Sequence, residues 1–568
     1  MTHRTQLAAL ACCSTLTLTA LAPGIAQARD FDQPYTGTAR PNTVLRPASP
    51  ESVGLRSAPI EAARTQVRAH QSGDQPLYPG AVGIMGHDGR IVATEAFGYA
   101  KLYADTTTKL PDSERIAMRE DTIFDLASVS KLFTSIAVVQ LIEKGQVELD
   151  APVASYLPDF ATRGKQDITV RHLLTHTSGL PAGLPLWRDQ PDKASRLAAV
   201  LDVAPQAEPD TTYLYSDLNL ITLGMLVEKQ TGTTLDKAVA QGITQPLGMT
   251  DTGYNPTERE RVAATEFEAT PNRGMVWGEV HDENAWSLGG VAGHAGVFST
   301  AKDLAVLCQT LLNGGTYRHQ RILSKQSVDL LLYNFNTRFP GDDHGLGFEL
   351  NQRWYAEGLT HSRQAGHTGY TGTSIVIDFA SHSFAVLLTN RVHPARTGPS
   401  VNPARREWAQ GLALAMPVSP AKGRDAWFTG VTNATTATLD LPIKASTSTS
   451  RLSFRSLVDV EETDPLVLER SVDGGRSWTK VPFTVRIRGQ EEVQTDGAWA
   501  TSGLRRWVKV EADLPAGTQV LRWRQTTDEN YLGRGTYVDD VQLRGGVNFD
   551  GEKSPGSFRP TQWTRTSH

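Results

Sequence analysis

Apolar and polar positions follow two different rhythms along the chain, and the change between them falls near Pro417. From Gly80 to Ala100 two apolar runs flank Asp88-Gly89, the pattern of a β-hairpin with a tight turn. From Ser128 to about Gly242 apolar residues recur mostly at helical spacing; strand-like alternation returns over Thr373 to Asn390, and a helix is predicted near Pro403 to Met416. Strands first, helices in the middle and strands again predict an α+β domain over 49–420: an antiparallel sheet built from both chain ends, flanked by helices and carrying a helical subdomain. Beyond Arg424 the pieces ATLDLPI, RLSFRSLV, WVKVEADL, TQVLRWRQ and TYVDDVQL are short, alternating and separated by turn residues. They predict an all-β sandwich over 425–546, with Trp427, Trp478, Trp507 and Trp523 among its core or surface aromatics. The Pro- and Thr-rich residues 29–48 are expected to form an extended arm, and the polar residues 547–568 a disordered tail. No internal repeat is visible.

A length of 568 residues agrees with two domains, and a net charge of -5 without a basic cluster argues against nucleic acid as a partner. Residues 1–28 show Arg4, an apolar run and Ala26-Gln27-Ala28, the anatomy of a cleavable signal peptide, so the protein is expected to be secreted. A lipoprotein reading through Cys12 is disfavoured, since the apolar run before it is short and no leucine stands three residues upstream. Removal of the signal takes Cys12 and Cys13 and leaves Cys308 as a lone core thiol. No later stretch reaches the roughly 18 apolar residues of a membrane span.

The candidate chemistry begins at Ser128. Ser-x-x-Lys occurs four times, at Ser128, Ser299, Ser419 and Ser477, so context must choose. Ser299 or Thr300 precedes a helix as its N-cap with Asp303, Ser419 precedes Pro420, and Ser477 follows an Asp473-Gly474-Gly475 hairpin turn. Ser128 instead opens a helix that is apolar on most of its circumference and ends at Gly145, and Lys131 shares its face. A hydroxyl, an amine able to take its proton and a helix start that favours anions coincide there. A capped core helix with a buried lysine stem explains this stretch alone equally well.

Two further segments decide between these readings. Tyr215-Ser216-Asp217 precedes an apolar helix, about 84 residues after Lys131, and His367-Thr368-Gly369 opens an apolar strand roughly 150 residues later. In this order and spacing the chain resembles the serine β-lactamase and penicillin-binding-protein superfamily, in its class C-like branch, whose motifs are Ser-x-x-Lys, Tyr-x-Asn and Lys/His-Thr-Gly. TVRHLLTHTSGLP (Thr169 to Pro181) and GGVAGHAGVFSTAKDLA are similar to stretches of that branch, and the resemblance covers about Ser49 to Met416. It implies acylation of Ser128, proton transfer by Lys131 and Tyr215, and an oxyanion hole formed by the backbone N–H groups of Ser128 and Tyr370. It implies supporting or substrate-binding roles for Asp217, His367, Thr368 and Gly369, with Gly366, Gly369 and Gly372 keeping the strand edge open to substrate. Substrates would be D-alanyl-D-alanine-type peptides, small esters or β-lactams.

Two departures qualify this. Asp217 replaces asparagine; it either faces Lys131, favouring the ammonium and leaving more of the base's work to Tyr215, or caps the following helix. His367 replaces lysine, and a neutral imidazole gives no fixed cation for a substrate carboxylate, which weakens the β-lactam and peptide readings unless Arg391 or Arg363 supplies the charge. His172, His176, His281 and His294 form no metal motif, so neither metal nor other cofactor is expected, and no Gly-x-Ser-x-Gly elbow is present. The C-terminal unit resembles jelly-roll modules through SVDGGRSWTKV and YVDDVQL, which implies carbohydrate or cell-wall contact or a stabilising appendage. The competing non-enzyme reading is a binding scaffold, which would not need Ser128, Lys131 and Tyr215 together.

Overall fold

The Asp88-Gly89 hairpin starts the main sheet, and both turn residues adopt the positive φ that a tight hairpin requires, 45° and 75°. A computed structural model describes residues 39–568, so the expected signal peptide lies outside the described residues. Strands β1 (Arg46–Pro47), β2 (Gly80–His87), β3 (Arg90–Lys101), β4 (Glu349–Leu350), β5 (Gln364–Thr368), β6 (Ser374–Asp378) and β7 (Ser383–Thr389) run in the order β1-β3-β2-β7-β6-β5-β4. Only β1 pairs parallel. The β7–β2 ladder, Ser383 opposite His87 to Thr389 opposite Ala81, joins the two chain ends as the alternation predicts. The end of the arm is ordered: Ala39 N donates to Leu312 O at 2.7 Å and β1 pairs with β3.

Helices cover both faces. Helix α1 (Ser57–Ala69) and helix α5 (Asn402–Ala415) pack on one face through Ile60, Val67, Trp408 and Leu412. A side chain at Gly83 would meet Trp408 at 2.5 Å, so the glycine makes room for the indole. On the other face α4 (Ala301–Leu312) lies against β2 and β7, while α2 (Ser130–Glu143) and α3 (Asp217–Thr231) pack on each other. Every residue from Ser130 to Val139 is buried, as a helix apolar all round must be. Gly145 ends this segment with φ 67°, and Thr300 caps α4 by accepting from Asp303 N at 3.2 Å. Cys308 is free and buried.

The C-terminal unit is two packed sheets around Leu439, Phe454, Leu468, Val510 and Trp523. Trp523 is fully buried, Trp427 and Trp507 are half-buried, and Trp478 lies under the Arg522 guanidinium at 3.6 Å.

The expectation of a disordered tail is corrected. Arg559–Thr561 pairs with Thr438–Asp440, Thr564–Thr566 pairs with Ala426–Phe428, and Phe558 and Trp563 enter the core at 6 % and 3 % exposure. Two anchoring aromatics in a polar context fix these edge strands, because burial of such rings outweighs the hydrophilicity of their neighbours. Truncation after Gly546 is expected to lower stability by about 3–5 kcal/mol for each aromatic lost. An unchanged denaturation midpoint of the shortened chain would contradict this packing.

The sandwich is attached to the α+β domain by buried charge. The Arg505 guanidinium pairs with Asp378, the last residue of β6, and donates to Gly358 O and Thr360 O at 3.0 Å each. Glu357, a carboxyl that burial pushes up to about 7, accepts from Leu532 N and Gly533 N at 2.5 and 3.2 Å.

Candidate active site

Ser128 sits in a short 3-10 turn, Ala127–Val129, that leads directly into α2. Ala127 holds φ at 46°, the left-handed region that an alanine rarely occupies, directly before the serine. The buried carboxylate of Asp125 fixes this bend: Oδ1 accepts from Ala127 N at 2.8 Å and Oδ2 from His281 N at 2.6 Å. The strand pair β5–β6 is fastened to the same bend. Thr371 Oγ1 donates to Asp125 O at 2.7 Å, Thr373 Oγ1 to Leu126 O at 3.0 Å, and Arg405 of α5 to Gly369 O and Thr373 O at 2.7 and 2.9 Å.

Lys131 is buried, with Nζ 2.9 Å from Ser128 Oγ, 2.8 Å from Asp217 Oδ1 and 3.3 Å from His294 O. Its ammonium also lies 4.8 Å from the centre of the Tyr215 ring. Burial alone would lower its pKa, but Asp217 and then Tyr215 outweigh burial and hold it above the ordinary lysine value. The Tyr215 phenol is raised by burial, with the Lys131 charge acting in the opposite sense. Of the two expectations for Asp217, the ion pair with Lys131 is the one observed; the N-cap position belongs to Ser216 and no side-chain cap forms.

His367 is buried in β5, and burial, reinforced by Lys131, lowers its pKa to about 3. Its Nδ1–H donates to Thr368 O at 2.8 Å, which leaves Nε2 as a lone pair without a partner. The imidazole is therefore neutral, as expected. The glycines differ from expectation. A Cβ on Gly366 would meet Ile375 O at 2.1 Å, and one on Gly369 would meet Thr373 Oγ1 at 2.1 Å and Leu126 O at 2.4 Å. Close approach by protein backbone, rather than an edge kept open for substrate, is what excludes side chains there.

Two connected lobes meet at Ser128, Tyr215 and Tyr370. One, about 600 Å³, is also lined by Tyr213, Glu349, Trp354, His367, Thr368, Gly369, Arg391, Asn402 and Arg405. The other, about 380 Å³, is lined by Asp217, His281, Asp282, Glu283, His294 and Arg396. The Tyr370 ring, 55 % exposed, stands between them, stacked on His281 at 5.8 Å. Arg391 lines the larger lobe, as one of the two expectations had it; Arg363 instead lies 3.4 Å from Asp329 and is not among the lining residues. Sequence reasoning missed Arg405, Asn402 and Glu349, which sit in a plain helix and a two-residue strand with no motif to mark them.

Carboxylate and imidazole groups do gather here. Asp217, Asp282 and His294 bring ligand atoms within 4.8 Å of one another, but Lys131 already neutralises Asp217, and His294 Nε2 bonds Asp282 at 2.9 Å. Glu266, Glu268 and His281 form a second buried trio, faced by Arg396 and Arg273. Lys131 in the first trio and Arg273 and Arg396 in the second pair with these carboxylates.

Comparison with known proteins finds similar sequences and folds. The family model described as Beta-lactamase matches residues 67–410. A Salmonella agona (strain SL483) protein named "Putative D-alanyl-D-alanine carboxypeptidase" is 33 % identical over 395 residues, covering 63 % of this chain and 89 % of its own. A protein of the same name from Escherichia coli (strain K12) is 33 % identical over 402 residues, covering 65 % and 90 %. Among solved structures, EstCE1, described as a hydrolase with promiscuous acyltransferase activity, superposes with a TM-score of 0.51 at 22 % identity, over 62 % of this chain and 99 % of that one; this likeness concerns the fold alone.

Proposed function

Since the chain belongs to the beta-lactamase family and is a serine hydrolase of its acyltransferase type, we propose that it forms an acyl-enzyme at Ser128 and acts on D-alanyl-D-alanine-type peptides. The carrying observation is the 2.9 Å contact of Ser128 Oγ with a Lys131 amine that is itself held by Asp217. Lys131 and Tyr215 act as one coupled proton-transfer pair: the form of the pair that has lost one proton takes the Ser128 proton during attack, and Tyr215 returns that proton to the leaving amine. The tetrahedral oxyanion is received by the backbone N–H groups of Ser128 and Tyr370, at the point where the two lobes meet.

Two arginines support the peptide reading. Arg391 directs its hydrogen bonds to the carbonyls of Arg396, Gly398 and Pro399, and Arg405 to those of Gly369 and Thr373 and to Asn402. These hydrogen-bond acceptors are neutral, but Arg405 also faces the Glu349 carboxyl, which burial pushes up to about 7, so Arg391 is the freer charge for a C-terminal carboxylate in the lobe where His367 supplies none. Thr368 and Gly369 line the same lobe. The site of action we propose is outside the cytoplasm, on the strength of the N-terminal signal pattern, and cell-wall contact by the sandwich rests on its resemblance to jelly-roll modules.

Intact mass spectrometry tests the reading. A fluorophosphonate is expected to add one label to the wild type and none to Ser128→Ala, and the wild type is expected to release D-alanine from an N-acylated D-alanyl-D-alanine peptide. Label without D-alanine release, together with turnover of a p-nitrophenyl ester, would assign the enzyme to the esters instead; rapid turnover of a penicillin would assign it to the lactams.

The Asp217 departure has its own expected result. Removing this charge by Asp217→Asn leaves burial less opposed, so the Lys131 pKa falls and the neutral amine appears at lower pH. The acid limb of the pH profile of kcat/KM is expected to move down by about one unit or more. An unmoved limb would remove Lys131 from the titration.

A further inference from the structure

The Tyr215 ring is held from a direction that the catalytic motifs do not include. His176, in the Thr169 to Pro181 stretch, is 1 % exposed and has φ 57°, a left-handed conformation that surrounding structure must enforce. Its ring centre lies 4.5 Å from that of Tyr215, tilted by 34°. Its backbone O accepts from Leu214 N at 2.9 Å, and its Nδ1 accepts from Ser216 N at 3.1 Å and from Asn219 Nδ2 at 3.2 Å. The residues on both sides of Tyr215 are thus tied to the group that packs against its ring.

We propose that His176 is the positioning residue of Tyr215, which holds the phenol between its imidazole and the Lys131 ammonium and so aims the hydroxyl at Ser128. The proposal rests on the assignment of Tyr215 made above. Two donors converge on Nδ1, so the ring proton resides on Nε2 and the imidazole works as the neutral tautomer. A proton on Nδ1 would oppose both donors and break the tie to Ser216. Burial keeps the group neutral, aided by the positive charge of Lys131. His344 closes the arrangement edge-on, its ring 5.2 Å from that of His176.

A double-mutant cycle tests this, with the rate of fluorophosphonate labelling of Ser128 as its readout. His176→Asn keeps an acceptor near Nδ1 and loses the ring; His176→Phe keeps a ring and loses the acceptor. Each is expected to slow labelling about 10- to 100-fold, the scale of a misplacement near 1 Å. In a Tyr215→Phe background neither is expected to change the rate by more than about twofold, since the group being aimed is already gone. Equal losses in both backgrounds would mean general damage to the loop and would overturn the proposal, as would a wild-type rate for the single variants. Wild-type labelling by Tyr215→Phe alone would remove Tyr215 from the mechanism, and the role of His176 with it. Thermal melts separate an unfolded variant from a misaligned one, and the two replacements supply independent readings.

Discussion

Lys131→Ala is expected to slow acylation of Ser128 by on the order of 10⁴-fold or more, with the substrate KM little changed. The amine lies 2.9 Å from Ser128 Oγ, and it is buried and held by Asp217 and His294 O. Its removal also strands the Asp217 carboxylate beside Tyr215, which raises the phenol pKa and leaves less of the phenolate to act as base. Lys131→Arg is expected not to restore the rate, because a guanidinium keeps its charge and cannot accept the proton. Time-resolved mass spectrometry of the acyl-enzyme is the direct measurement. Acylation within tenfold of wild type in the alanine variant would leave Tyr215 as the base by itself.

The largest effect of a single substitution on stability is expected far from Ser128. Arg505→Ala leaves Asp378 and Asp459 as buried carboxylates without their principal cation, and breaking such a pair costs about 3–5 kcal/mol. Asp378 is fully buried, and although burial raises its pKa the arginine more than compensates, so the native carboxyl is held below its ordinary value. Chemical denaturation should show the α+β domain and the sandwich weakened together, because the lost bonds include those to Gly358 O and Thr360 O. A loss confined to the sandwich would mean that the contact adds nothing to the domain it touches.

The parts of the site that the sequence reveals are those whose chemistry depends on short spacing. Ser128 and Lys131 share one helical turn, Tyr215 stands two residues before α3, and His367 lies near the end of β5 rather than opening a strand, so each sits in or beside a regular element and a motif with fixed offsets captures them. The same holds for the Asp88-Gly89 turn and for the alternation that pairs β2 with β7. Arg405 and Glu349 reach the larger lobe through tertiary folding alone, since α5 and β4 lie beside β5 only after the sheet has formed. Asp125 is equally invisible beforehand: its two acceptors serve backbone donors from residues 127 and 281. The order of the tail is not legible in its composition, because composition averages over residues while packing selects two of them, Phe558 and Trp563. Nor do the glycines of the His367 segment reveal in the sequence that the neighbouring strand and Leu126 O occupy the space beside them.

The Arg505 junction also bears on how such a protein can be divided. The change in hydrophobic rhythm near Pro417 marks a boundary between architectures, but Asp378 and Glu357 receive their partners from beyond it. A catalytic fragment ending there would present two buried acids to solvent at the base of the strand pair whose opposite end carries His367, Thr368 and Gly369. The architectural seam is therefore bridged by buried polar links, and exchanging the sandwich for another module would require the incoming module to bring its own arginine.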